Sequence, residues 1–328
     1  MSIEMIASGK TEELLELFNQ TFDQVQFSQS HNEAYEPTYY FLESKGKRIR
    51  PLLLMLSCDM FGGSPSDSLN PAFGIELFHN FTLIHDDIMD EADIRRGKPT
   101  VHEKYTEGTA ILTGDFLMIL AYRYVAKVRP EILDAVLSVF NQTATQIIEG
   151  QVMDAAFEST DDVNEDDYLR MIGYKTSVLL AASLKIGAII GGASAKDQQL
   201  IYDFGKYLGL AFQVKDDLLD VFGDKSLGKK IGGDILRNKK TYLFIKAWNA
   251  ATTDEKSQLT DLRSTEDDES KIQHTIDLYR KLRADRETES LMDELFKKAI
   301  DCLNKISISE NKKSDLLQFA NKIYHREY

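Results

Sequence analysis

Residues 70–102, NPAFGIELFHNFTLIHDDIMDEADIRRGKPTVH, decide how the rest of the chain is read. Asn70 suits a helix cap and Pro71 suits the first turn, where its missing N–H costs nothing. Ile75, Phe78, Phe81, Leu83, Ile84 and Ile88 follow mostly at helical spacing, which predicts a largely buried helix. That helix ends in Asp86, Asp87 and Asp90. Residues four apart are separated by about 40° around a helix, so Asp86 and Asp90 share a face. Carboxylates crowded on an apolar helix repel and lose hydration unless cations answer them. Arg95, Arg96 and Lys98 come directly after, so a demand for metal stands beside a demand for an anion.

The pattern returns 130 positions on (216 − 86). Residues 200–224, LIYDFGKYLGLAFQVKDDLLDVFGD, again carry an apolar helix into Asp216, Asp217 and Asp220 with the same spacing. Two such helices facing each other would make a doubly acidic cavity. Magnesium suits it, since it keeps waters and shares phosphate oxygens with one or two carboxylates. Two other acidic doublets serve as controls. Asp161-Asp162 and Asp267-Asp268 lie in polar surroundings with no apolar helix leading in, and read as solvated loops or helix N-termini.

Composition narrows the function class. The 328 residues are 43% apolar, enough for a sizeable core. A formal net charge of −14 argues against nucleic acid as a partner, though not against a small anionic substrate held by local cations. The two cysteines, Cys58 and Cys302, form no zinc or disulfide pattern, which fits a reducing cytoplasm. The N-terminus lacks the basic and apolar regions of a signal peptide. The most membrane-like run, 178–195, is broken by Lys185 and reads as a tightly packed buried helix, so no stable membrane insertion is expected.

Helices are expected at 11–30, 51–61, 70–90, 109–128, 130–157, 167–174, 176–191, 196–222, 239–250, 270–285, 290–305 and 311–324, with a short element at 39–42. Residues 62–70 read as a polar loop and 225–238 as a Gly- and Lys-containing loop. No strand-like alternation survives. The expectation is one all-α domain over 1–328.

Several segments together resemble the trans-isoprenyl diphosphate synthases, or polyprenyl synthetases: GKRIRP at 46–51, the 76–102 segment, YKTS at 174–177, FQVKDDLLD at 212–220 and LGK at 227–229. One such acidic motif is a weak signal; five in order are a strong one. The resemblance implies the all-α isoprenoid synthase bundle around a central cavity, commonly as a homodimer. It implies magnesium, three ions per active site, on Asp86, Asp90 and Asp216, with Asp87, Asp217 and Asp220 in support. It assigns Lys47, Arg50, His79 and Arg96 to the diphosphate of isopentenyl diphosphate, and Arg95, Lys175 and Lys229 to that of the allylic substrate. Read singly, Lys47, Arg48 and Arg50 suit a basic surface turn equally well, and His79 a core histidine. His85 reads as structural. Thr176 and Gln213 offer lone pairs without full charge, which suits a fleeting carbocation.

Phe81, five residues before Asp86 with Thr82 between, resembles the tunnel floor of geranylgeranyl diphosphate synthases, with farnesyl diphosphate synthase the alternative. Phe78, one turn further, argues against a very long product. A terpene cyclase of the same fold would need no isopentenyl site and would not keep both acidic motifs. A non-catalytic subunit of a heteromeric synthase would be expected to lose aspartates. Two departures stand out: Gly233 where many relatives have Lys, and Ser177 where Gly is common.

Overall fold

The apolar periodicity becomes helix almost throughout. The computed structural model describes residues 9–24, 35–44, 46–160, 163–223 and 231–325. Within them run α1 (Lys10–Phe22), α2 (Glu36–Leu42), α3 (Ile49–Met60), α4 (Pro65–Met89), β1 (Ile94–Arg95), β2 (Lys98–Pro99), α5 (Val101–Lys104), α6 (Glu107–Val125) and α7 (Pro130–Ser159). After them come α8 (Glu165–Ile172), a π-helical turn (Gly173–Ser177), α9 (Val178–Ile190), α10 (Ala195–Phe222), α11 (Gly233–Leu236), α12 (Tyr242–Ala250), α13 (Thr253–Arg263), α14 (Asp268–Lys281), α15 (Ala284–Asn304) and α16 (Glu310–Tyr324).

The differences from the sequence expectation have local causes. Helix α4 does not begin at Asn70. Ser64 caps it, accepting from the Ser66 N–H at 3.3 Å, and Pro65 opens it. Two cap-and-proline signals compete six residues apart. The earlier one starts the helix, and Pro71 is carried inside. One short hairpin joins the helices. Ile94–Arg95 and Lys98–Pro99 pair antiparallel. Their two-residue turn puts Arg96 at φ 51° and Gly97 at φ 77°, the double positive φ that suits a tight hairpin. Strands of two residues are too short to show an alternating pattern. Helix α13 was missed because its sequence is mostly polar; a capping box between Thr252 and Glu255 starts it. The break read at 175 becomes the π-helical turn, and the described part of the loop read at 225–238 holds short α11. Asp267 caps α14, as its control reading expected, while Asp161 and Asp162 lie outside the described residues.

By packing, the chain divides into two compact units. One comprises 1–140, 183–198 and 308–319, and the other 141–182, 199–307 and 320–328. In the first, α4 lies along α6 so closely that a Cβ on Gly74 would come 2.7 Å from the Ala121 carbonyl oxygen and the Val125 nitrogen. Helix α3 is buried along nearly its whole length, and Ser57 Oγ donates to the Leu184 carbonyl at 2.7 Å. The rings of Phe18, Phe22 and Phe73 pack edge to face or stacked at 5.2 Å between centroids.

In the second unit, one core joins Leu218, Val221, Ile235, Leu243 and Tyr279, and another joins Tyr168, Met171, Leu210, Val214 and Tyr242. The run Glu165–Ile190 is long and apolar enough to cross a membrane, but its most apolar stretch is 78% buried in the protein, as the reading of 178–195 expected.

Gly74→Ala should lower the melting temperature by several degrees, reflecting a cost of about 1–3 kcal/mol from overpacking against α6. Differential scanning calorimetry checks it.

Candidate active site

In the first unit, the basic connector and the end of α4 come together around His79. Arg50 Nη1 lies 3.1 Å from His79 Nε2. A guanidinium only donates, so Nε2 accepts and the imidazole proton sits on Nδ1. Burial, then the nearby cations Arg50, Arg96, Arg95 and Arg48, holds the His79 pKa well below the usual value, so the ring stays neutral. Burial pushes the Arg50 guanidinium down to about 10, which leaves it charged at neutral pH. Arg48 and Arg95 are answered by carboxylates. Arg48 Nη1 meets Glu76 Oε1 at 2.5 Å, and Arg95 Nε meets Asp87 Oδ1 at 2.6 Å. Among the described residues Arg50 and Arg96 have none. Arg96 Nη1 donates to the Ser44 carbonyl at 2.7 Å, and its guanidinium lies where any Cβ on Gly46 would have to be. Such an arrangement suits an anion. Lys47 is exposed beside it.

The first acidic motif splits by geometry. Asp90 is exposed and Asp86 half-buried, while Asp87 is buried at 1% exposure. Burial raises the Asp87 pKa against the pull of Arg95. Below the motif, Phe81 packs against Phe78 at 5.3 Å and His85 at 4.8 Å, and Phe78 against Phe140 at 5.1 Å. His85 Nε2 lies 3.2 Å from the Ile111 carbonyl, in the space Gly114 leaves, which bears out its structural reading.

In the second unit, the π-helical turn presents Lys175 and Thr176 to a cavity of about 130 Å³. Lys175 Nζ pairs with Asp154 Oδ2 at 2.6 Å. Thr176 Oγ1 donates to Gln213 Oε1 at 3.4 Å, and Gln213 Nε2 donates to Asp217 Oδ1 at 3.1 Å. Tyr168 OH completes the chain by donating to Asp217 Oδ2. Burial raises the Asp217 pKa to about 7, opposed by the Tyr168 hydrogen bond. Asp220 is turned to its own loop: its Oδ2 accepts the Asp234 N–H at 2.8 Å, and its carbonyl accepts the Gly232 N–H at 2.7 Å. Gly209 makes room for Ser177, since a Cβ there would lie 2.8 Å from Ser177 Cα. Lys229 lies outside the described residues.

Sequence reasoning missed Asp154, Tyr168, Asp234 and Lys239, which also line the cavity. The fold accommodates Asp154 at a close approach of two helices. Gly150 sits one turn earlier on α7, and a Cβ there would come 2.5 Å from the Lys175 nitrogen.

No group of three or more His, Cys, Asp or Glu side chains is placed to hold a metal among the described residues. The donors still fit magnesium. They are oxygens, a hard cation of this kind needs only one or two carboxylates, and buried Asp87 Oδ2 has no hydrogen-bond partner.

The chain matches the model of the polyprenyl synthetases over residues 31–279. It belongs to the polyprenyl synthetase family. The geranylgeranyl diphosphate synthase of Sulfolobus acidocaldarius is 40% identical over 281 residues, 84% of this chain and 85% of its own. The geranylfarnesyl diphosphate synthase of Aeropyrum pernix is 39% identical over 237 residues, 70% of this chain and 74% of its own. A solved geranylgeranyl pyrophosphate synthetase from Pyrococcus horikoshii superposes with a TM-score of 0.91 at 34% identity, over 97% of this chain and 98% of that one. This polyprenyl synthetase is thus a trans-prenyltransferase with the all-α isoprenoid synthase fold.

In this synthetase, Tyr168→Phe should leave Asp217 short of a donor and cost about 1–3 kcal/mol. A thermal melt reads the loss.

Proposed function

We propose that the chain joins isopentenyl diphosphate head-to-tail to an allylic diphosphate, making all-trans geranylgeranyl diphosphate with the help of magnesium. The observation that carries this is the cationic cluster around neutral His79. Arg50 and Arg96 lack carboxylate partners among the described residues, which suits a diphosphate that brings no metal of its own. A cyclase, with one substrate, has no use for it.

Lys47, Arg50, His79 and Arg96 hold isopentenyl diphosphate, and arginine forks suit its oxygens. Arg95, Lys175 and Lys229 hold the allylic diphosphate. Asp86, Asp90 and Asp216, with Asp87, Asp217 and Asp220 in support, would hold magnesium, which would supply positive charge to the leaving diphosphate. The C–O bond breaks with its electron pair going to that diphosphate. Thr176 and Gln213 turn neutral oxygens toward the allylic cation, which a stronger nucleophile would trap. The double bond of isopentenyl diphosphate attacks, and a proton leaves to the released pyrophosphate, restoring an allylic product. The held geometry supplies much of the rate.

Product length follows from the aromatic column Phe81–Phe78–Phe140 under the first motif. Geranylgeranyl synthases among the relatives support that product, and the Aeropyrum pernix protein makes geranylfarnesyl diphosphate the second reading. We also propose a homodimer. Helix α6 leaves Leu112 at 69% and Ile119 at 56% exposure, two turns apart on one face, an apolar strip that a second copy would cover.

Asp86→Ala and Asp216→Ala should each cut turnover by about a thousandfold or more with the fold kept, as loss of electrostatic stabilisation does elsewhere. Residual activity within tenfold of wild type would sink the metal assignment. Phe81→Ala should lengthen the product, read by chromatography after incubation with magnesium, labelled isopentenyl diphosphate and each allylic starter.

A further inference from the structure

The mechanism leaves one buried charge pair unused. Arg48 and Glu76 are 4% and 2% exposed, and their Nη1 and Oε1 meet at 2.5 Å. Asn80 Nδ2 donates to the same Glu76 oxygen at 3.2 Å and to the Glu76 carbonyl at 2.7 Å. The Arg48 guanidinium also stacks 4.8 Å over the Phe22 ring. Its backbone is unusual as well. Arg48 sits just ahead of α3 at φ 50° and ψ 31°, a left-handed conformation that side chains other than glycine disfavour.

These observations fit together through spacing. Arg48 and Arg50 lie two apart on either side of the start of α3. Glu76 and His79 lie three apart on one face of α4. The contacts Arg48–Glu76 and Arg50–His79 are therefore two successive rungs between the same pair of segments. The inner rung is dry, ionic and anchored by a third residue. The outer rung carries the charge left without a carboxylate. The left-handed turn at Arg48 lets the chain send one arginine inward and the next toward His79.

A buried ion pair is a poor way to gain stability. An apolar pair of similar size often does as well, whereas removing one partner leaves an unpaired buried charge. The pair is better explained by what it orients. We propose that Arg48 and Glu76, with Asn80, are positioning residues for the isopentenyl diphosphate cradle: they fix the direction of Lys47 and Arg50 without touching the substrate. This rests on the reading of Lys47, Arg50 and His79 as that cradle.

The test is calorimetric titration with isopentenyl diphosphate alone, where no reaction runs, alongside KM values for isopentenyl and farnesyl diphosphates. In Arg48→Met/Glu76→Met both charges leave together, so the fold should hold, with a melting temperature within a few degrees of wild type. Dissociation constant and KM for isopentenyl diphosphate should rise about tenfold or more, as misplacement of a binding group does, while KM for farnesyl diphosphate stays put. A folded double variant that binds isopentenyl diphosphate as wild type does would overturn the proposal. If that variant does not fold, Arg48→Lys decides. It keeps the charge but loses the planar fork, and at least a threefold weaker isopentenyl affinity is expected; unchanged affinity, or failure of this variant to fold too, overturns it. Arg50→Ala separates the two layers. If Arg50→Ala leaves isopentenyl binding unchanged, the cradle reading fails; if it weakens binding and the double variant does not, only the positioning role fails.

Discussion

A carboxylate taken out of water must meet a cation or a donor, and the polar interior of this chain is arranged around that demand. Four acids are buried among the described residues: Glu76, Asp87, Asp197 and Asp217. Asp197 shows the ordinary solution. It sits in the first turn of α10 and accepts from Ser194 Oγ at 2.9 Å, where the helix end favours negative charge. The other three reach across to different elements. Glu76 takes Arg48, Asp87 takes Arg95, and Asp217 takes Tyr168 and Gln213. Arg48, Arg95 and Gln213 lie in motifs that read as substrate-binding, and Tyr168 lies on α8, ahead of the π-helical turn. Satisfying the acid and aiming the site are one act.

Local features were open to reading from sequence, and long-range pairings were not. Helix α10 was placed to within one residue of its start, because its apolar spacing is unbroken over 28 residues. The cap of α14 at Asp267 followed from residue chemistry alone. The two acidic motifs stood out because acids on apolar helices are costly. Arg48 pairs with Glu76 across 28 positions, Lys175 with Asp154 across 21, and Tyr168 with Asp217 across 49. A single chain carries no mark of such pairs. Arg48 reads as part of a basic surface turn for that reason, and nothing singles out Tyr168. The start of α4 failed for another reason. Ser64-Pro65 and Asn70-Pro71 are equal as local signals, and the chain uses the first.

The π-helical turn shows how backbone and site are joined. Five residues with a wider repeat interrupt the run from α8 to α9 and hold Lys175 and Thr176. Such a bulge turns side chains off the regular helical face and is common at functional sites. Two glycines accommodate it. Gly150 lets α7 approach the Lys175 backbone, and Gly209 lets α10 approach Ser177. Ser177 is thus tolerated because the opposite helix yields the space. The serine hydroxyl is buried with no partner of its own.

The spacing of the acidic motif explains why its three aspartates are unequal. The first and last are separated by about 40° around the helix, whereas the second is turned by about 100°. Two carboxylates can address a ligand together, and the middle one must point elsewhere. In both copies the middle member is the one turned inward. Asp87 and Asp217 are the buried members, at 1% and 5% exposure, while Asp86, Asp90, Asp216 and Asp220 are not buried. Each middle carboxylate becomes a tie to a neighbouring element: Asp87 to the hairpin through Arg95, Asp217 to α8 through Tyr168 and along its own helix to Gln213. Asp87 and Asp217, which the resemblance places in support, are thus inward anchors, and Asp220 joins them in part by accepting the Asp234 N–H.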